Sequence, residues 1–168
     1  MVLTLGADPE VLLVDKEGIP RSSIGVINGT KQEPRQMGKG FALLSDNVTA
    51  EFNIPPAKDK PGFVNNVTTG LNMCTTIAQD VAGLIVSDMA STIFGESELQ
   101  HPDALAFGCE PDFNAWTYLE NDKPEPAHSG LRSAGGHVHV GGIGEKINKI
   151  KLIRCLDIFL GFPATFVD

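Results

Sequence analysis

The sequence predicts an α+β domain: an antiparallel or mixed sheet with helices packed on one side. Short strand-like segments outnumber helical ones, and the first four are joined too tightly for the helical crossovers that parallel strands need. Two segments repeat apolar residues at three and four, as helices do.

The elements follow in order. Val2 to Leu5 and Val11 to Val14 read as strands around Gly6-Ala7-Asp8-Pro9-Glu10, with Asp15 to Gly18 as a turn. Ser22 to Gly40 is glycine-rich and polar and reads as one long loop, of a length more often functional than decorative. Phe41 to Leu44 and Val48 to Ile54 form a hairpin turning at Ser45-Asp46-Asn47, which Pro55-Pro56 ends. From Pro61, residues Phe63, Val64, Val67, Leu71, Cys74, Ile77, Ala78 and Val81 mark an amphipathic helix that Gly83 ends, with a strand at Leu84 to Val86. Ala104 to Trp116 is expected to be a strand broken at Pro111, with Phe113 and Trp116 in the core. Asn121 to Gly130 is expected to be an exposed loop and Gly136 to Val140 a strand. A last helix is expected to bury Ile147, Ile150, Ile153, Leu156 and Leu160 and to stop at Gly161 and Pro163. At 168 residues and 42% hydrophobic, the chain suits one domain over 1–168 with a real core.

Charge and motif content exclude several functions. The 21 acidic against 13 basic residues give −8 without any basic run, which disfavours binding to a nucleic-acid backbone. Cys74, Cys109 and Cys155 match no zinc or disulfide spacing and are expected to be buried free thiols. The N-terminus lacks the pattern of a signal peptide, and no apolar run approaches the ~20 residues of a membrane span, so a cytoplasmic protein is expected. Neither Gly-x-x-x-x-Gly-Lys-Ser/Thr nor a strand–Gly-x-Gly-x-x-Gly–helix unit occurs.

The candidate site comes from residues two apart. Asp8 and Glu10, Glu51 and Asn53, and His137 and His139 each place two polar groups on one side of an extended segment. Carboxylates with imidazole suit Mg²⁺ or Mn²⁺ better than a soft metal. His137 and His139 are the strongest signal, since the glycines at 135, 136, 141 and 142 weaken a plain strand and leave room for a ligand. Solvent-facing carboxylates account for Asp8, Glu10 and Glu51 equally well when each is taken alone. Arg132 and Lys31 read either as clamps on phosphate or carboxylate or as surface ion pairs.

Four segments, Gly-Ala-Asp-Pro-Glu at 6–10, Ser-Asp-Asn-Val-Thr-Ala-Glu-Phe-Asn-Ile-Pro-Pro at 45–56, Phe-Gly-Cys-Glu-Pro-Asp-Phe-Asn-Ala-Trp at 107–116 and Arg-Ser-Ala-Gly-Gly-His-Val-His-Val-Gly at 132–141, occur in an order that resembles the phage-type COOH–NH₂ ligases, type 2. These are amidoligases of tailed bacteriophages related to glutamine synthetase and glutamate–cysteine ligase. The resemblance implies a glutamine-synthetase-like fold with a curved antiparallel sheet and helices outside. It implies ATP- and Mg²⁺-dependent (or Mn²⁺-dependent) joining of a small-molecule or peptide carboxylate to an amine through an acyl phosphate. It implies Asp8, Glu10, Glu51 and His137 at the metal, Lys31, Asn53, Arg132 and His139 at the nucleotide, and Arg132 and His139 in catalysis. Asp8 is equally placed by it among the groups on phosphate, water or substrate. Relatives of this type continue beyond the region corresponding to Asp168, so the chain is expected to be the N-terminal portion of a longer domain, or to be completed by another copy or a phage protein. Host cytoplasm is the expected location, with the virion as the other. A non-catalytic phage binding or assembly module keeping the fold is the competing expectation. A hydrolase using His137, His139 and a carboxylate is a third, against which stand His101 and His128 in loops without ligand spacing.

Overall fold

The computed structural model describes residues 2–105, 113–122 and 129–166. The chain read as one domain divides into two compact units, a larger one of Val2–Gly108 with Pro126–Gly141 and a smaller one containing Cys109–Glu125 and Gly142–Asp168. The larger unit is α+β. Its elements are β1 (Thr4–Ala7), β2 (Glu10–Val11), β3 (Leu13–Val14), β4 (Pro20–Arg21), β5 (Arg35–Gly38), β6 (Phe41–Asp46), β7 (Thr49–Asn53), α1 (Lys60–Ala82), β8 (Ile85–Val86), β9 (Ser91–Ile93), α2 (Pro102–Leu105), β10 (Leu131–Ser133) and β11 (Val138–Gly141). All pairings among them are antiparallel, and no sheet closes into a barrel among the described residues.

The sheet that matters runs β2-β7-β6-β5. β11 pairs with β1, and that pairing carries on past the end of β1. Asp8 N donates to His137 O at 3.2 Å and Glu10 N to Gly135 O at 3.0 Å, while Phe52 N donates to Pro9 O at 3.1 Å and Ile54 N to Ala7 O at 3.0 Å. Pro9 accepts but has no N–H to return, which interrupts the ladder between β1 and β2 without separating the chains. The 135–141 segment, β1/β2, β7, β6 and β5 thus lie side by side. This juxtaposition brings three distant motifs together.

One face of the sheet is dry. Leu43, Ala50, Phe52, Ile54, Leu13 and Ala7 pack there against Cys74, Ile77 and Ala78 of α1. The helix is long because its ends are well terminated. The Asp59 side chain accepts from Gly62 N at 2.8 Å, Pro61 occupies the first turn, and Gly83 closes the helix at φ 66°. Gly70 sets the approach of helix to sheet, since a Cβ there would lie 2.5 Å from Phe52 Cδ2. A second buried cluster gathers Leu12, Val48, Phe94, Leu99 and Ala104.

Several expectations need correction. The long loop contains β5, an edge strand with a register shift between Gln36 and Gly38, whose Met37 packs against the core. Residues 102–105 form α2 rather than a strand; residues 106–112, including Cys109 and the Pro111 break, lie outside the described residues, as does most of the loop expected after Asn121. Cys74 is buried as expected, but Cys155 is exposed.

In the smaller unit, α3 (Lys149–Leu156) is capped by Asn148 and runs through a π-type turn at Asp157–Gly161 into α4 (Phe162–Ala164). Glycine does not stop it, and Pro163 sits in the first turn of α4, where its missing N–H costs nothing. Ile150, Ile153 and Leu160 are exposed, so no buried face forms on α3 among the described residues. Phe113 and Trp116, expected in the core, are exposed as well. Trp116 Nε1 donates to Asp157 at 2.7 Å, and the Arg154 guanidinium stacks over the Trp116 ring at 5.1 Å. Among the described residues no helix is long and apolar enough to cross a membrane.

Candidate functional site

Register decides which side chains meet. Glu10 stands directly opposite Glu51, and Gly6 opposite His139. Direct partners in an antiparallel pair share a face, so Asp8, opposite His137, and Asn53, two residues from Glu51, fall on the same face as the glutamates. Asp46 joins them from the β6–β7 turn. One carboxylate oxygen from each of Glu10, Asp46 and Glu51 lies within 4.8 Å of the other two.

The surrounding hydrogen bonds are unequal. Asp8 Oδ1 accepts from His137 N at 2.6 Å and lies 3.3 Å from His137 Nδ1, while Oδ2 lies 3.1 Å from His139 Nε2. Glu10 Oε2 accepts from Gly135 N at 3.0 Å. Asp46, itself buried, receives the Lys31 ammonium at 2.8 Å. No hydrogen bond reaches the Glu51 carboxylate among the described residues. Asn53 Oδ1 is a buried acceptor without a partner there.

Like charges held together in a half-buried place resist ionisation. Burial, and then Asp8, Asp46 and Glu10, push the Glu51 carboxyl up to about 7, with Lys31 pulling the other way. Burial also raises Glu10, opposed by the Gly135 N–H; Asp46 raises it further, and Lys31 and the Thr49 side chain lower it.

The predicted residues therefore divide into groups. Glu10 and Glu51 come together with Asp46. Asp8, His137 and His139 form a second group in which the carboxylate orients both imidazoles. Lys31 reaches the centre through Asp46. Arg132 is differently employed from the phosphate clamp expected of it. Its side chain is buried, with Nε donating to Asn47 Oδ1, Nη1 to Ser129 O and Leu131 O, and Nη2 to Ala104 O at 2.8 Å. That guanidinium ties β10, α2 and the β6–β7 turn together.

The glycines also have a nearer cause than ligand access. Gly136 has φ 140°, and a Cβ there would lie 2.9 Å from Pro9 Cα, so the close approach of its segment to Pro9 demands glycine. At Gly141 a Cβ would meet Thr4 Oγ1 at 2.5 Å.

Asp46 is the residue that reading the sequence missed. It was taken as part of a turn, yet the hairpin register pairs Asp46 with Thr49 and Leu44 with Glu51. A count of two from Glu51 to Thr49 would have put Asp46 on the glutamates' face.

The donor set suits a hard cation. Three carboxylates supply oxygen only, and at Mg²⁺ bond lengths of about 2.1 Å adjacent oxygens lie about 3.0 Å apart and opposed ones about 4.2 Å, so the three side chains would move inward to share one ion. Comparison with family models, with curated proteins and with solved structures finds no match in any of the three.

Proposed function

We propose that the larger unit holds a divalent cation at Glu10, Asp46 and Glu51 and serves as the metal and nucleotide site of an ATP-dependent carboxylate–amine ligase. The observation that carries the cation is the convergence of these carboxylates, one of which has no hydrogen-bond donor among the described residues. The ligase reading adds the likeness of the four motifs to the phage-type amidoligases. When bound, Mg²⁺ would neutralise phosphate charge and polarise the transferring phosphoryl group.

The chain's own residues then have distinct tasks. Glu10, Asp46 and Glu51 fix the cation, and Glu51 must release its proton to do so. Asp8 holds His137 and His139 in one orientation, presenting imidazoles beside the acidic centre for an acceptor or an incoming amine. Asn53 Oδ1 offers an unused acceptor two residues from Glu51. Arg132 acts from a distance by anchoring β10, from which the chain continues to Gly135 and His137.

Thermal stabilisation by ATP and Mg²⁺ together should exceed that by either alone. Glu51→Gln and Glu10→Gln should each abolish the joint effect while keeping the fold. Wild-type-like stabilisation in both variants refutes the site. Stabilisation of the wild type without ADP release in any mixture of acids and amines supports the binding or assembly module instead.

A further inference from the structure

We propose that Lys31 is the built-in counter-ion of this centre, and that a divalent cation binds by taking Asp46 away from it. The inference rests on the reading of Glu10, Asp46 and Glu51 as a cation site. It concerns what occupies that site beforehand.

The loop that carries Lys31 is fastened rather than draped. Ser45 N donates to Gly29 O at 2.9 Å, which pins the loop base to β6 one residue from Asp46. Only glycine fits at that base, since a Cβ at Gly29 would collide with the Leu43 carbonyl oxygen and lie 2.7 Å from Arg35 N. At the tip, Glu33 N donates to Thr30 Oγ1 and Thr30 N to Glu33 O, each at 3.1 Å, closing a turn around Lys31. The ammonium is thereby set 2.8 Å from Asp46 Oδ2 while the side chain remains 40% exposed. Its charge also acts on Glu10 and Glu51.

One ammonium on a flexible stem cannot satisfy three carboxylates, but it can hold them together until something stronger arrives. A divalent ion coordinating Asp46 competes with Lys31 for the charge of that carboxylate. It also repels the ammonium, whose half-open position gives it a path outward. Lys31 thus stabilises the cation-free chain and weakens cation binding. Once displaced, the same ammonium is placed to meet an anion that follows the cation.

The test is isothermal titration with Mg²⁺ at pH 8.5, using wild type, Lys31→Met, Lys31→Gln and Lys31→Arg, together with melting curves without divalent cation. The two neutral variants should bind Mg²⁺ about tenfold more tightly, as removal of one nearby positive charge implies. Both should melt lower than wild type without cation, and Lys31→Arg should resemble wild type. Because Lys31 lies on an exposed loop, the two neutral variants are expected to fold, and agreement between them guards against a local artefact of either. Wild type that binds Mg²⁺, with neutral variants binding equally or more weakly, overturns the counter-ion and leaves the site standing. Absence of Mg²⁺ binding in every protein removes the site and the counter-ion with it.

Discussion

Replacing Glu51 with glutamine should make the cation-free protein more stable, and only above mildly acidic pH. The Glu51 carboxyl is pushed from 4.5 up to about 7, chiefly by burial and then by Asp8, Asp46 and Glu10. The folded chain keeps a proton that the unfolded chain releases above its lower pKa. Stability therefore falls as pH rises from about 4.5 to about 7, and stays lost above that. At 1.36 kcal/mol per pH unit the full displacement corresponds to roughly 3.4 kcal/mol. Glu51 is partly open to solvent, and screening reduces the figure to about 1.5–2 kcal/mol.

The assay is urea unfolding with EDTA present, for wild type and Glu51→Gln, from pH 4 to pH 8.5. The stability difference between the two proteins should be constant near pH 4 and move by about 1.5–2 kcal/mol in favour of the variant by pH 8. A constant offset from the amide itself leaves that change unaffected. Mg²⁺ should then reverse the order at pH 8. A concentration one hundred times its dissociation constant stabilises wild type by about 2.7 kcal/mol and leaves the variant unmoved. Parallel stability profiles for the two proteins across the pH range would refute the electrostatic account of the site.

Two further outcomes separate scaffold from site. Arg132→Met should cost about 2–4 kcal/mol in urea unfolding by stranding the carbonyls of Ala104, Ser129 and Leu131, yet change Mg²⁺ affinity less than about twofold; a large loss of affinity in a folded variant would restore Arg132 to the site. Gly70→Ala gains helix propensity but drives a Cβ into Phe52 and Ile54, for a net loss of about 1–2 kcal/mol by the same assay. An unchanged or raised stability would mean that α1 does not seat on the sheet through Gly70.

The sequence discloses those parts of this fold that local periodicity determines. The β6–β7 hairpin is legible because apolar runs flank the Ser45-Asp46-Asn47 turn and Pro55-Pro56 ends the second strand, and α1 because a period of 3.6 is bracketed by Asp59-Lys60-Pro61 and Gly83. β5 is hidden, since an edge strand of Arg35-Gln36-Met37-Gly38 turns only the arginine and the methionine inward and so shows no apolar alternation in the sequence. Arg132 stays ambiguous in the sequence because an arginine near two glycines looks the same whether it meets phosphate or backbone carbonyls. Burial alone distinguishes those cases, and burial is a property of the whole fold. Asp46 is overlooked for a different reason: a turn motif explains it adequately until the hairpin register is counted. Convergence of the 8–10, 46–51 and 135–139 segments depends on β11 returning beside β1, over a separation that no local pattern encodes.

The hydrogen bonds around the four carboxylates argue for what is missing from the chain's own interactions. Asp8 is satisfied on both oxygens, by the backbone of His137 and by the ring of His139. Glu10 has one firm donor in Gly135 N. Asp46 has an ammonium. Glu51 has no hydrogen-bond donor among the described residues, only the more distant charge of Lys31 against three carboxylates, and it is the one pushed furthest up. A sheet that needed these residues for stability alone would distribute donors among them, because a buried carboxylate without a donor is among the more costly groups to retain. Satisfaction instead declines from the strand that carries the imidazoles towards the centre of the acidic cluster. A divalent cation reverses that gradient in one step, turning mutual repulsion among Glu10, Asp46 and Glu51 into shared coordination. Asp8, already committed to two histidines, then orients groups beside the cation instead of holding it.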